Sequence, residues 1–157
     1  MKKVIEVDLS ANGLKTLQRE LADYQKWLER KSDELCRRLA EMGAVKASLE
    51  FSRAIYSGKE DHEITVEPVE GGYKVRATGS TVLFVEFGTG LIGYGHPEPN
   101  GMGPGTYPGK GHWDDPNGWY YGKHEHTYGN PPNMPMYNTV KELEQELARV
   151  VKEVFAE

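Results

Sequence analysis

The stretch from residue 88 to 131 limits what this chain can fold into more than any other. It holds 12 of the 18 glycines, four of the five histidines, most of the prolines, and both Trp113 and Trp119. Neither the helical nor the strand rhythm of apolar residues survives across it, so the pattern predicts one long excursion there. Loops longer than about 12–15 residues are uncommon in compact domains and are usually functional or disordered. The aromatic content argues against plain disorder. The excursion is therefore the part expected to meet something else. It leaves from Val82-Leu83-Phe84-Val85-Glu86-Phe87-Gly88-Thr89-Gly90, an apolar segment that carries one carboxylate, Glu86, and then stops at glycine.

On either side of the excursion the periodicities are clear. Val4–Leu9 alternates and reads as a short strand, after which Ser10 or Asn12 can cap a helix through its side-chain oxygen. Leu14, Leu17, Leu21, Tyr24, Leu28, Leu35, Leu39 and Met42 then form one apolar stripe. Lys31 and Arg38 interrupt a strict heptad, which suits packing on a domain better than an extended coiled coil. Gly43 predicts a break, because glycine is costly inside a helix and favoured just past one. Helical spacing resumes from Ala44 to Ile55. His62–Val69 and Tyr73–Thr78 alternate as strands around Gly71-Gly72, a hairpin turn. A short helix or strand follows through Phe87. Beyond the excursion, Pro135 opens a last helix at no cost, since a first-turn N–H has no partner. Met136, Val140, Leu143, Leu147, Val150, Val151 and Val154 give that helix its apolar face. The expected architecture is a single α+β domain over 1–157. It has N-terminal helices, a small antiparallel sheet, the 88–131 excursion, and a C-terminal helix packed on the sheet.

At 157 residues the chain can bury a real core. Its net charge of −5 argues against binding nucleic acid through a basic footprint. The basic residues Lys26, Arg30, Lys31, Arg37 and Arg38 alternate with acids and read as a solvated helix face. Cys36 is the only cysteine, so no intrachain disulfide forms, and its leucine neighbours make it a small buried hydrophobe. No run approaches the ~20 apolar residues of a membrane span, and Met1–Glu6 lacks the apolar run of a signal peptide. A reducing, aqueous location is expected.

Sites of chemistry are sparse. His112, His124 and His126, with Asp114 and Asp115, are the metal candidates, but their spacing matches no helix-borne ligand pair. No nucleophile elbow or phosphate-cradling loop occurs, and Gly101-Met102-Gly103-Pro104-Gly105 has turn chemistry only. Glu86 reads either as a general acid with a raised pKa or, more simply, as an acceptor of backbone N–H groups. Trp113, Trp119, Tyr120 and Tyr121 read three ways: a stacking platform for sugars or bases, a pad folded onto the chain's own body, or anchors for another protein.

The order of these features resembles the minor structural proteins of long-tailed bacteriophages and prophages. These are the head–tail joining or tail-completion proteins, including relatives of the lambda-type tail completion protein. The match rests on Phe84-Val85-Glu86-Phe87-Gly88-Thr89 and on Gly129-Asn130-Pro131-Pro132-Asn133-Met134-Pro135-Met136, with Met136 where the family commonly has an aromatic. It extends over about residues 73–150. The resemblance implies a virion component rather than an enzyme, assembled in the bacterial host cytoplasm. It would form a ring with copies of itself, commonly a hexamer, against neighbouring neck or tail proteins. No cofactor, metal, membrane or sequence-specific nucleic acid is implied. On this reading Phe84, Glu86, Phe87, Gly88, Thr89 and Gly90 fix the loop base, while Trp113, Trp119, Tyr120 and Tyr121 anchor contacts between subunits. Phe84, Val85 and Phe87 carry more apolar surface than so short a segment readily hides, and a head-to-tail contact that closes gives a ring. Glu86→Ala is expected to leave the domain folded and to abolish assembly. The alternatives are a metal-dependent hydrolase or ligand-binding domain using the histidine-bearing loop, and an accessory interaction module such as an immunity protein.

Overall fold

The computed structural model describes residues 6, 8–56, 61–94, 115–121 and 123–156. Helix α1 runs unbroken over Ala11–Ser52. Ser10 caps it as expected: its backbone is extended and its Oγ accepts the Gly13 N–H at 3.1 Å. Asp8 steadies that cap by accepting from both the N–H and the Oγ of Ser10. Ion pairs one turn apart, such as Arg37–Glu41 and Arg38–Glu34, line the exposed face, where solvent screens them and their contribution is small. The strand expected over Val4–Leu9 lies mostly outside the described residues; Glu6, Asp8 and Leu9 are irregular.

Gly43 does not end the helix. It is buried, and a Cβ there would come within 3.1 Å of Leu143 Cδ1 and 3.3 Å of Val75 Cγ2. The glycine serves as a crossing point, where its missing side chain lets a strand and a second helix approach α1 together. Its helix penalty of about 0.5–1 kcal/mol is offset by that close packing.

The hairpin β1 (Glu63–Val69) and β2 (Gly72–Thr78) is antiparallel, with Ile64 opposite Ala77, Val66 opposite Val75 and Pro68 opposite Tyr73. These pairs share the face turned to α1. The connecting turn is Glu70-Gly71 rather than Gly71-Gly72: only Gly71 takes positive φ, at 78°, and Gly72 already pairs with Val69. Helix α2 (Val82–Phe87) follows. Asp61 holds its approach, accepting from the backbone N–H and hydroxyl groups of both Ser80 and Thr81.

The described ends of the excursion carry regular structure that the sequence pattern does not predict. It opens with the short helix α3 (Gly90–Tyr94). It closes with a second hairpin, β3 (Trp119–Tyr121) and β4 (Glu125–Thr127), and with β5 (Gly129–Asn130). Helix α4 (Pro135–Ala156) completes the chain. It runs antiparallel to α1: Asn138 bonds Glu50, Lys46 pairs with Glu142, Leu143 sits over Gly43, and Phe155 meets Trp27 edge-on at 5.8 Å. Leu143 and Thr139 of α4 approach Val75 of the sheet at Gly43, while the rest of α4 lies along α1. The fold is α+β. An apolar cluster of Phe51, Val82 and Val85 gathers Ile64, Ala77 and Met136 at the point where α1 ends and α4 begins. Among the described residues no helix is long and apolar enough to cross a membrane.

Candidate functional site

The C-terminus of α2 and the N-terminus of α4 meet directly above that cluster, and each supplies what the other lacks. A helix leaves its last carbonyls and first N–H groups without partners. Three α2 carbonyls are taken by the 130–134 segment. Asn130 Nδ2 donates to Phe84 O at 2.9 Å, the Asn133 N–H to Val85 O at 3.0 Å, and the Met134 N–H to Glu86 O at 3.2 Å. In return the Glu86 carboxylate accepts the first free N–H groups of α4, from Met136 at 2.9 Å and Tyr137 at 3.1 Å. Pro135 ahead of them has no N–H to place. A buried carboxylate at a helix N-terminus also meets the positive end of the helix dipole. Burial pushes the Glu86 pKa up, and the two backbone N–H groups pull it back in part.

Asn130 and Thr89 lock the exit of the excursion to its return. Asn130 is buried; its Oδ1 accepts from the Thr89 hydroxyl at 2.5 Å, and its own N–H donates to Thr89 Oγ1. Thr89 and Gly90 bridge Asn130 and Gly129 in antiparallel fashion. The approach is too close for any side chain. A Cβ on Gly129 would sit 1.8 Å from Thr89 O, and one on Gly90 would sit 2.3 Å from Tyr128 O; both residues take positive φ. Asn133 adds a second lock, accepting from Ile55 N at 2.6 Å and donating to Ile55 O and Pro131 O.

The expected loop-base residues Phe84, Glu86, Phe87, Gly88, Thr89 and Gly90 are therefore gathered at one place. Val85, however, is not spare apolar surface, because it is buried in the chain's own core with Phe51. Phe84 and Phe87 are half-buried, and Leu83 is the exposed apolar residue of α2. Glu86 is a helix cap, so Glu86→Ala loosens α4 and is not a clean probe of assembly.

Of the aromatic anchors, Trp113 and the Tyr121 side chain lie outside the described residues. Trp119 is half-buried over Gly90, folded back on its own root. Tyr120 points outward, 69 % exposed, and meets His126 edge-on at 4.7 Å; His126 in turn meets Tyr128 at 4.8 Å. His126 Nε2 lies 3.1 Å from Asn117 O, a contact that requires the proton on that nitrogen. His112 and Asp114 lie outside the described residues. Among the described residues, no group of three or more His, Cys, Asp and Glu side chains is placed to hold a metal.

Asn130 and Asn133 lie in the segment that carries the resemblance, but their locking roles, like that of Asp61, escape a reading by motif. The available signal is local. Pro131 and Pro132 carry no N–H, so flanking side chains must anchor that backbone, and asparagine both donates and accepts. Against known proteins, no family model, no curated sequence and no solved structure matches this chain.

Proposed function

We propose that this chain is a structural subunit of a bacteriophage particle, acting at the neck or tail end in head–tail joining or tail completion. In this reading it assembles with copies of itself into a ring, a hexamer by the family resemblance, and contacts neighbouring neck or tail proteins. It acts as a building part and not as an enzyme, it needs no cofactor, and it resides in the virion after assembly in the host cytoplasm.

One observation carries the reading. A rigid, buried polar clamp at the root of the excursion stands beside exposed apolar side chains: Leu91 at 49 %, Ile92 at 43 % and Tyr128 at 49 % exposure. Ile92 and Tyr128 are held side by side, since the Ile92 N–H donates to Tyr128 O at 3.2 Å. Apolar surface fixed on a stiff frame suits association, because little conformational freedom remains to be lost on docking. The aromatic row Tyr120–His126–Tyr128 adds the residue types that dominate interface energetics.

The test is native mass spectrometry and negative-stain microscopy of the purified protein with its neck or tail partner. Rings are expected for the wild type. Ile92→Asp/Tyr128→Asp is expected to abolish them while the thermal melt stays within about 2 °C, as for surface changes outside buried networks. Rings formed equally by that variant would defeat the reading.

A further inference from the structure

The hairpin turn and the middle of α1 enclose a cleft of about 500 Å³. It stands apart from the α2–α4 junction: Cys36, which lines it, is about 22 Å along the helix axis from Phe51. Leu28, Pro68 and Val69 form its apolar wall, and Leu28 and Val69 are each 42 % exposed. Its polar groups come from two elements, Glu29 and Asp33 from α1 and Tyr73 from β2. An apolar cleft of this size with a few convergent polar groups has the makings of a binding site.

The charge in the cleft is one-sided. Glu29 and Asp33 are one helical turn apart, so they share a side of α1 with about 5–6 Å between their Cβ atoms. Neither forms an ion pair among the described residues. Glu29 accepts from Gln25 Nε2 at 2.9 Å, and Asp33 accepts from the Tyr73 hydroxyl at 3.3 Å. Both donors are neutral. Arg37, one turn beyond Asp33, is taken by Glu41 at 2.6 Å. Like charges at this spacing repel, and a cation placed between them relieves the repulsion.

Gly72 supplies an independent sign. Gly71 needs to be glycine, because its φ is 78°. Gly72 does not: its φ is not positive, and it pairs with Val69 in the ladder. Among the described residues a Cβ there would meet only Cys36 Sγ, at 4.0 Å, which is an ordinary contact. Neither the backbone nor the packing of this chain asks for glycine here, and glycine weakens a strand. A strand glycine of this kind marks the close approach of something else. The side chain it lacks would project into the cleft toward Cys36.

We propose that the cleft receives an arginine side chain of a neighbouring protein. The guanidinium sits between Glu29 and Asp33. Its stem and one flanking apolar residue lie along Leu28, Pro68 and Val69. Arginine fits better than lysine because its planar fork donates to two carboxylates at once. Its stem also covers apolar surface while its head stays charged.

The test is an NMR titration of the full chain with acetyl-Leu-Arg-Leu-amide. Saturable shifts are expected at Leu28, Asp33 and Gly72, with binding in roughly the millimolar range. The same peptide with citrulline in place of arginine keeps the shape and loses the charge, and should bind at least about threefold more weakly. Glu29→Gln/Asp33→Asn should weaken binding of the arginine peptide about tenfold. Gly72→Val should abolish the shifts while the thermal melt holds, because valine suits a strand and its Cβ finds room. Absence of saturation, equal binding of the citrulline peptide, or undiminished binding by Gly72→Val overturns the proposal. Agmatine binding as tightly as the peptide also overturns it, in favour of a small organic cation. Should Gly72→Val fail to fold, Glu29→Gln/Asp33→Asn decides, since both of its changes lie on exposed side chains. Ring assembly plays no part in the titration, so the result stands or falls separately from the reading above.

Discussion

The junction of α2 with α4 and the N-terminal arm of α1 solve the same problem in opposite ways. Both contain helix ends and apolar side chains. At the junction, partners come from residues about 40 to 80 positions apart, and backbone groups at both helix ends find acceptors or donors within this chain. On the arm, the bonds from Gly13 to Ser10 and from Gln25 to Glu29 are local, and Leu14 and Leu21 are exposed. Long-range contacts are what make folding cooperative, so among the described residues the junction is expected to be better protected than the arm. Folding stability should therefore respond more to changes at the first place than at the second.

The largest expected effect comes from Asn130→Asp. It keeps the shape but removes the amide that donates to Phe84 O and Pro131 O, and it buries a carboxylate against two carbonyls. A loss of about 3–5 kcal/mol is expected, or roughly 10 °C in Tm, read by thermal or urea melting. A change under about 1 kcal/mol would mean that the clamp contributes little.

Glu86→Ala comes next, at about 2 kcal/mol, because two α4 N–H groups lose their acceptor inside the protein. Glu86→Gln should cost about half of that, since one carbonyl oxygen remains. The pH dependence sharpens the point. Burial raises the folded-state pKa of Glu86 above the ordinary 4.5, so the native state holds the proton more tightly than the unfolded chain. Its contribution is fully present below pH 4.5 and is lost as pH rises through the folded value. Wild type should therefore lose stability over that window relative to Glu86→Gln; parallel profiles would contradict the assignment.

Asp61 has the opposite sign and a smaller effect. The Ser80 hydroxyl and N–H, followed by Thr81, hold its pKa well below the usual 3.8. Its support is present above 3.8 and fades as pH falls toward the folded value. Asp61→Asn should flatten the acid limb of a pH–Tm profile. The smallest effect belongs to the arm: Leu14→Ala should change the melt of the dilute protein by less than about 0.5 kcal/mol. A large drop would mean that the arm is part of the core.

Much of this contrast is readable from the residues, up to a definite limit. Ser10 announces the start of α1, the alternation of Ile64 and Val66 against Val75 and Ala77 announces the hairpin, and Pro135 announces α4. In each case the deciding physics spans a few residues. Gly43 misleads because its role depends on Leu143 and Val75, which no local pattern brings near it. The excursion misleads in a similar way: β3 and β4 are three residues each, too short for a period to register. Glu86 is legible as an isolated acid needing donors, but the donors are 50 and 51 positions away. The apolar spacing of Leu14, Leu17 and Leu21 is visible in the chain, whereas the exposure of Leu14 and Leu21 appears only in the structure.

The bridge from Thr89 and Gly90 to Gly129 and Asn130 has one more consequence. With both ends of the intervening segment pinned together, doubling its length adds only about 0.6 kcal/mol of closure entropy. Lengthening the segment between the two pinned ends therefore costs the body little. Relatives of this chain could lengthen, shorten or exchange the tip to match a new neighbour without redesigning the scaffold that carries it.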